Sequence, residues 1–367
     1  MSEFKHSSKN QIVADHFREM ILSGTLEPDA KIIPDSEIAR HFKVNKRTVA
    51  KGMTQLVAEG LISRSPGRGS LVLRRKAVER DSRAVGIISF NAGHLHSDVA
   101  VTLTDGILKH DLYPVWISQA IFRKAVYTPN HPPLTKMLET LIDDCPYGMI
   151  IDGERFLPFE LLRRNQARLQ NMVFILHYMY KERLPAKYVL VDYREGARRV
   201  AACLYAKGHR KITFLARGQQ FLNHYEPTAQ MLLIEGLEEA FRAHGGEFNS
   251  EIPRRMVAGE DRERVFMEEF PGSGITAAMV PYDAFWVNNM APIAARMGLR
   301  VPEDFSVIGC YNTPWAEEYS PRLTSLHIRQ SRVARLAVQM LFGEIPDTEI
   351  SIVPEIAERD SVYDYNL

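Results

Sequence analysis

Between residues 45 and 51 the chain places an amide, two adjacent cations, a hydroxyl and a third cation: Asn45, Lys46, Arg47, Thr48 and Lys51. At the start of a helix, such cations meet the free amides of the first turn. That combination suits phosphate oxygens and the acceptor edges of bases. Asn45 is the expected N-cap, because its side-chain oxygen can take a backbone N–H of the turn that follows. Arg68 stands in a Pro-Gly-Arg-Gly tip and could reach a groove beside the helix. A second set of candidates is scattered along the rest of the chain: Asn91, His96, Asp98, Asp152, His177, Asp192, Arg217, Tyr282, Asp283, Trp286, Tyr311 and Trp315. Many follow short apolar runs, where polar groups can orient a small ligand and aromatics can stack on its C–H face. Each competes with a plainer role as a satisfied polar residue or a core aromatic. His94 and His96 could hold a metal only from a strand and with further ligands at suitable spacing, which the chain lacks; no metal and no cofactor is expected.

The basic run needs a scaffold, and the neighbouring residues supply one. Ile12, Val13, Phe17, Met20, Ile21 and Leu22 recur at helical spacing and predict a first helix, stopped by Gly24 and Pro28. Pro34 and Asp35 open a short second helix with Ile38, Ala39 and Phe42. After Asn45, a third helix carries Val49, Met53, Leu56 and Val57 on one side and leaves Lys46, Arg47, Thr48 and Lys51 on its other side and at its start. Residues 61–65 and 70–73 alternate like two strands around the glycine-tipped turn. Residues 1–73 are therefore read as one small domain and the polar run 74–83, RRKAVERDSR, as a linker.

Charge follows the same division. Residues 1–76 carry 14 Lys plus Arg against 8 Asp plus Glu, while the remainder carries 32 against 37, so a net charge of +1 hides a basic head on an acidic body. A basic head attracts a polyanion through counterion release. Cys145, Cys203 and Cys310 are odd in number and far apart, which suits a reducing compartment and offers no disulfide framework. No apolar run is long enough to cross a bilayer and the first residues lack a signal-peptide core, so a cytoplasmic protein is expected.

Residues 84–367 read as a larger α/β domain. Apolar runs at 84–90, 113–117, 148–151, 172–176, 188–191, 212–216, 277–280 and 305–309 alternate with amphipathic stretches, the pattern of parallel sheets covered on both faces. Ligands of such sheets collect beyond the carboxyl ends of the strands. No Gly-x-Ser-x-Gly elbow, Walker-type loop or Gly-x-Gly-x-x-Gly turn is present, so an enzyme is not expected.

The run VNKRTVAKGMTQLVAEGLISRSPGRGSLV resembles the winged helix-turn-helix of GntR-type bacterial regulators, with Lys46 and Ala50 at positions where that family often has arginine. YVLVDYREGARRVAACLYAKGHRKITFLA and VPEDFSVIGCYNTPWAEEYSPRLTSLHI resemble segments of LacI-type effector domains, of the periplasmic-binding-protein-like type I fold. The resemblance implies two Rossmann-like lobes around a cleft, three crossing strands and a homodimer. It further implies a DNA-binding regulator, most simply a repressor, of double-stranded operator DNA, controlled by a small carbohydrate-like effector; this pairing of domains is known in arabinose-responsive repressors. Where that family often grips sugar with arginine this chain has Leu233, the family's Asn-Asp pair is Tyr282 and Asp283, and its Gly-Phe-Asp segment is Gly309, Cys310 and Tyr311. A body that only dimerises, or one that catalyses a reaction, is the alternative.

Overall fold

The computed structural model describes residues 9–22, 25–27, 29–58, 61–65, 69–73, 83–88, 97–117, 139–152, 162–163, 171–178, 182–218 and 228–366. The chain divides into two compact units, residues 1–81 and 82–367. Of the run read as a linker, only Arg83 falls within the described residues.

The head consists of α1 (Lys9–Leu22), β1 (Lys31–Ile32), α2 (Asp35–His41), α3 (Lys46–Ala58), β2 (Ile62–Ser65) and β3 (Gly69–Val72). The apolar spacing read from the sequence becomes one core: Val13, Phe17, Ile38, Val49, Met53 and Leu56 are all buried. Ile12 and Val57 belong to the same apolar spacing but fall at its edges and are exposed. Gly52 lets α1 and α3 approach closely, since a Cβ there would lie 2.7 Å from the carbonyl oxygen of Asn10. β1, too short to be seen in the sequence, pairs antiparallel with β3 and completes a sheet ordered β1-β3-β2. Arg64 on β2 donates to both carboxylate oxygens of Asp35, at 2.7 and 2.6 Å, tying the hairpin to the start of α2.

The body contains two sheets of matching topology. The first holds β4 (Ala84–Ile88), β5 (Tyr113–Ile117), β6 (Met149–Asp152), β7 (Met172–Leu176), β8 (Lys187–Val191) and β14 (Glu349–Ile352), in the order β14-β8-β7-β6-β4-β5 and parallel throughout. The second holds β9 (Lys211–Phe214), β10 (Glu247–Asn249), β11 (Ala277–Met279), β12 (Ser306–Cys310), β13 (Thr324–His327) and β15 (Glu355–Ala357), in the order β10-β9-β11-β12-β13-β15, with only β15 antiparallel. In each sheet the order reverses beside its first strand, and such a switch point opens a crevice at the carboxyl ends. The crevices fall between β4 and β6 and between β9 and β11.

Three passages connect the sheets. β8 leads into α5 (Tyr193–Ala206), which packs on α6 (Ala229–Ala243) beside the second sheet; β13 leads into α12 (Gln330–Leu341), which packs on the first; β14 is followed directly by β15. Between α6 and α12 lie α7 (Glu251–Val257), α8 (Arg262–Glu269), α9 (Asp283–Phe285), a π-turn at Trp286–Met290, α10 (Ala291–Arg296) and α11 (Pro314–Glu318). α12 also packs on α4 (Ser97–Leu108), where Gly106 leaves room for Val338: a Cβ would stand 3.0 Å from its methyl.

The Gly-His-Arg run proves to be a structural lock. His209 is fully buried, its Nδ1 lies 2.8 Å from Thr276 Oγ1 and its Nε2 3.2 Å from the carbonyl of Tyr363. Burial pushes the imidazole down to about 4, so it stays neutral at physiological pH. Ser361 continues the strap, accepting from the amide of Thr324 and donating to the carbonyl of Val307. The C-terminal segment is thereby stitched across β12 and β13.

Candidate functional site

The start of α3 carries the first site. Asn45 Oδ1 accepts from the Thr48 amide at 2.8 Å and from Thr48 Oγ1 at 2.9 Å, so the cap expected from the sequence is formed. Thr48 is half-buried and its hydroxyl proton serves this cap. Lys46, Arg47 and Lys51 are exposed, while Val49, Met53 and Leu56 on the other face are fully buried. Arg47 and Lys51, four residues apart, share one helical face. The result is a rigidly based helix that presents cations and unshared amides to solvent. Arg68 lies outside the described residues.

The second site is built at strand ends. Asp283, just beyond β11, is fully buried; its Oδ2 accepts from the Thr313 amide at 2.7 Å and its Oδ1 from Ser325 Oγ at 2.7 Å. Ser325 Oγ in turn accepts from the Asn312 amide at 3.0 Å. A side chain at Gly309 would put its Cβ 1.9 Å from Asp283 Oδ1, so the close approach of β12 to this carboxylate requires glycine. Burial pushes the Asp283 carboxyl up to about 6 in spite of these hydrogen bonds.

The turn that Asp283 holds carries Tyr311 and Asn312, both in the left-handed region at φ 84° and 50°. The Tyr311 amide donates to the carbonyl of Leu326 at 2.8 Å, and its own carbonyl accepts from Gln330, the first residue of α12. Strain recurs at the end of β7: Leu176 has φ 67° and the His177 amide donates back to Ile175 at 2.9 Å, a strained three-residue turn. His177 is buried and stands edge-on to Tyr193, 6.0 Å between ring centres. Asp152, ending β6, is buried, and Asp192 caps α5 by accepting from the Glu195 amide at 2.9 Å. Arg217 follows β9, with its backbone held on both sides by Gln230.

The remaining candidates divide sharply. Tyr282 is half-buried beside Asp283. Trp286 is only 1 % exposed and packs toward Phe305 in the core; its indole N–H finds no hydrogen-bond partner among the described residues. Trp315 is exposed on α11. Asn91, His94 and His96 lie outside the described residues, as does the side chain of Asp98 on α4. A depression of about 140 Å³ beside Cys145, Met149 and Met172 lies at the opposite, amino ends of β6 and β7 and is small for an organic effector. Among the described residues no group of three His, Cys, Asp or Glu could hold a metal ion, and no helix is long and apolar enough to cross a membrane.

Comparison with known proteins divides the chain in the same way. Residues 9–72 match the gntR family of bacterial regulatory proteins and residues 201–362 match the periplasmic binding protein-like domain. The chain is a transcriptional regulator with a gntR-family head and a periplasmic-binding-protein-like body. It is 24 % identical over 361 residues to the arabinose metabolism transcriptional repressor of Geobacillus stearothermophilus, covering 92 % of each chain. It is 44 % identical over 189 residues to the HTH-type transcriptional repressor PurR of Vibrio cholerae, a match that spans 48 % of this chain and 52 % of that one. A LacI family regulator from Silicibacter pomeroyi shares the fold of the body, with a TM-score of 0.58 at 20 % identity, over 76 % of this chain and 98 % of that one.

In the periplasmic-binding-protein-like body, Leu233, at the position where arginine is frequent, is 2 % exposed and belongs to the core. Ser325, Asn312, Gln330 and Gln230 were not singled out by the sequence, yet they fix the strand-end turns. Their only sequence signal is position, close to the end of an apolar run or the start of a helix. Arg359, from the C-terminal strap, donates to Asn312 Oδ1 at 2.7 Å and so braces the same turn from a point 47 residues away.

Proposed function

We propose that this regulator is an effector-controlled repressor: a homodimer in the cytoplasm whose two gntR heads read inverted half-sites in operator DNA and whose bodies each bind one small molecule between the lobes. The observation that carries the reading is the Asn45-capped start of α3, with Lys46, Arg47 and Lys51 exposed beside its free amides. Recognition helices of this kind enter the major groove with their first turns leading, and a two-fold dimer places two of them one helical repeat apart. Exposed Val101 and Leu108 on α4, with exposed Tyr113 and Trp116 on the edge strand β5 that packs against it, support pairing through the first lobe.

Control would run through the turn at Tyr311. A ligand seated there presses on a residue whose carbonyl is bonded to Gln330, so movement is passed to α12 and from α12 to α4. Effector contact falls to Tyr311, Tyr282, His177, Asp152 and Arg217, together with Asn91, His96, Asp98 and Trp315. Asp283 and Asp192 serve as positioning residues, because their carboxylates are spent on backbone and hydroxyl donors, and Trp286 serves packing. Coupling of this kind changes operator affinity by the ligand's preference between states, typically about 1–3 kcal/mol, and release from DNA is its expected sign.

The test is operator binding by the full chain and by Arg47→Ala. Removing a cation that meets phosphate or a base edge at the helix start should weaken binding about tenfold or more and flatten its salt dependence, with the dimer mass unchanged. Equal operator affinity of the two proteins would remove α3 from the interface.

A further inference from the structure

We propose that the effector carries an oxyanion, a phosphate ester or a carboxylate, and that Arg217 grips it; this rests on the reading of the body as an effector domain.

Charge pairing singles out this residue. Among the described residues of the body, the other half-buried arginines are all satisfied. Arg255 pairs with Glu260, Glu268 and Glu269, Arg194 with Glu235, and Arg329 with Glu355. Arg359 reaches Asn312 and Glu317, and Arg262 donates to Asn289 and covers the ring of Phe285. Arg217 is half-buried, and its guanidinium has no hydrogen bond, ion pair or ring partner among the described residues. A partly desolvated cation without a partner costs stability, and folds keep such groups where a ligand completes them.

Position points the same way. Arg217 follows β9 at the point where the second sheet reverses its order, the usual place for a ligand in an open α/β sheet. Its backbone is fixed on both sides: the Arg217 amide donates to Gln230 Oε1 at 3.1 Å and Gln230 Nε2 donates to the Arg217 carbonyl at 3.1 Å. Gln230 is 5 % exposed and sits in the first turn of α6, a helix of 15 residues capped by Thr228. This clamp holds the Arg217 backbone beside the positive end of a long helix, and a cation and a helix start both favour an anion. The carboxylate that follows the adjacent strand β11 cannot serve, because Asp283 is fully buried with both oxygens already accepting hydrogen bonds. The arginine missing at Leu233 is thus answered by a different arginine, presented from a strand end rather than from a helix.

The experiment uses the full chain carrying Arg47→Ala, which removes a cation from the head's own anion-attracting site. Inorganic phosphate is titrated by phosphorus NMR line broadening and carbon-13 acetate by carbon NMR. The expected result is saturable broadening of at least one probe that is abolished in Arg217→Gln and weakened several-fold in Arg217→Lys, which keeps the charge but not the fork. The probe that saturates tells phosphate from carboxylate. No saturation of either probe, or saturation unchanged by Arg217→Gln at an unchanged melting temperature, overturns the inference. If Arg217→Gln fails to fold, Arg217→Lys decides: probe affinity equal to that of the parent overturns the inference. Operator binding by the wild-type chain is measured alongside, so failure of the anion titration with intact operator binding refutes the role of Arg217 alone, while failure of operator binding refutes the wider reading.

Discussion

Replacing Asp283 with asparagine tests the strand-end site through its pH dependence. The folded state holds this carboxyl at about 6, against an ordinary value of 3.8, because burial penalises the charged form more than its hydrogen bonds reward it. A raised carboxyl means that the fold prefers the protonated group. The stabilisation is complete below the unfolded value and disappears as pH rises through the folded one. At about 1.4 kcal/mol for each pH unit between the two values, the whole loss is about 3 kcal/mol, of which about 2 kcal/mol falls between pH 4.5 and 7. Asparagine does not titrate, yet its oxygen can accept from the Thr313 amide and its amino group can donate to Ser325 Oγ. Asp283→Asn should therefore gain about 2 kcal/mol relative to wild type across that interval. Urea unfolding followed by tryptophan fluorescence measures this cleanly, because Trp116, Trp286 and Trp315 all lie in the body and report nothing from the head. Parallel stability curves for the two proteins would show that Asp283 titrates as an exposed carboxyl and would refute the buried clamp.

Two further outcomes concern single atoms. Asn45→Ala removes the acceptor for the Thr48 amide and should cost the head about 1 kcal/mol, seen as faster amide hydrogen exchange along α3 in the full chain, with exchange in the body unchanged. Gly309→Ala forces a methyl to 1.9 Å from Asp283 Oδ1; the clamp must break, and the body should lose about 3 kcal/mol or more of stability, so an unshifted urea midpoint would mean that β12 has room to move.

Local physics made much of this protein legible from its sequence. Helical spacing and a single amide sufficed for α1, α3 and the Asn45 cap, because a helix is satisfied by residues three and four apart. The eight apolar runs located eight of the body's strands, since a strand buried on both faces, as all but the edge strand β5 largely are, must be nearly continuously apolar. β1, β10, β13, β14 and β15 were not marked as strands: they are two to four residues long and several lie at sheet edges, so their pairing partners define them more than their composition does.

The strand-end site depended on tertiary structure. Tyr282, Asp283, Tyr311 and Trp286 looked alike in the sequence, as polar or aromatic residues after apolar runs. Folding buried Trp286 among other aromatics and turned Asp283 inward to hold a turn 30 residues away. It left Arg217 with a fixed backbone and no counter-charge among the described residues. The reason is that a cap or a periodicity is decided within one or two turns of chain, whereas the partner of a buried charge is chosen by which strands lie side by side. That choice belongs to sheet order, and no short stretch of sequence contains it.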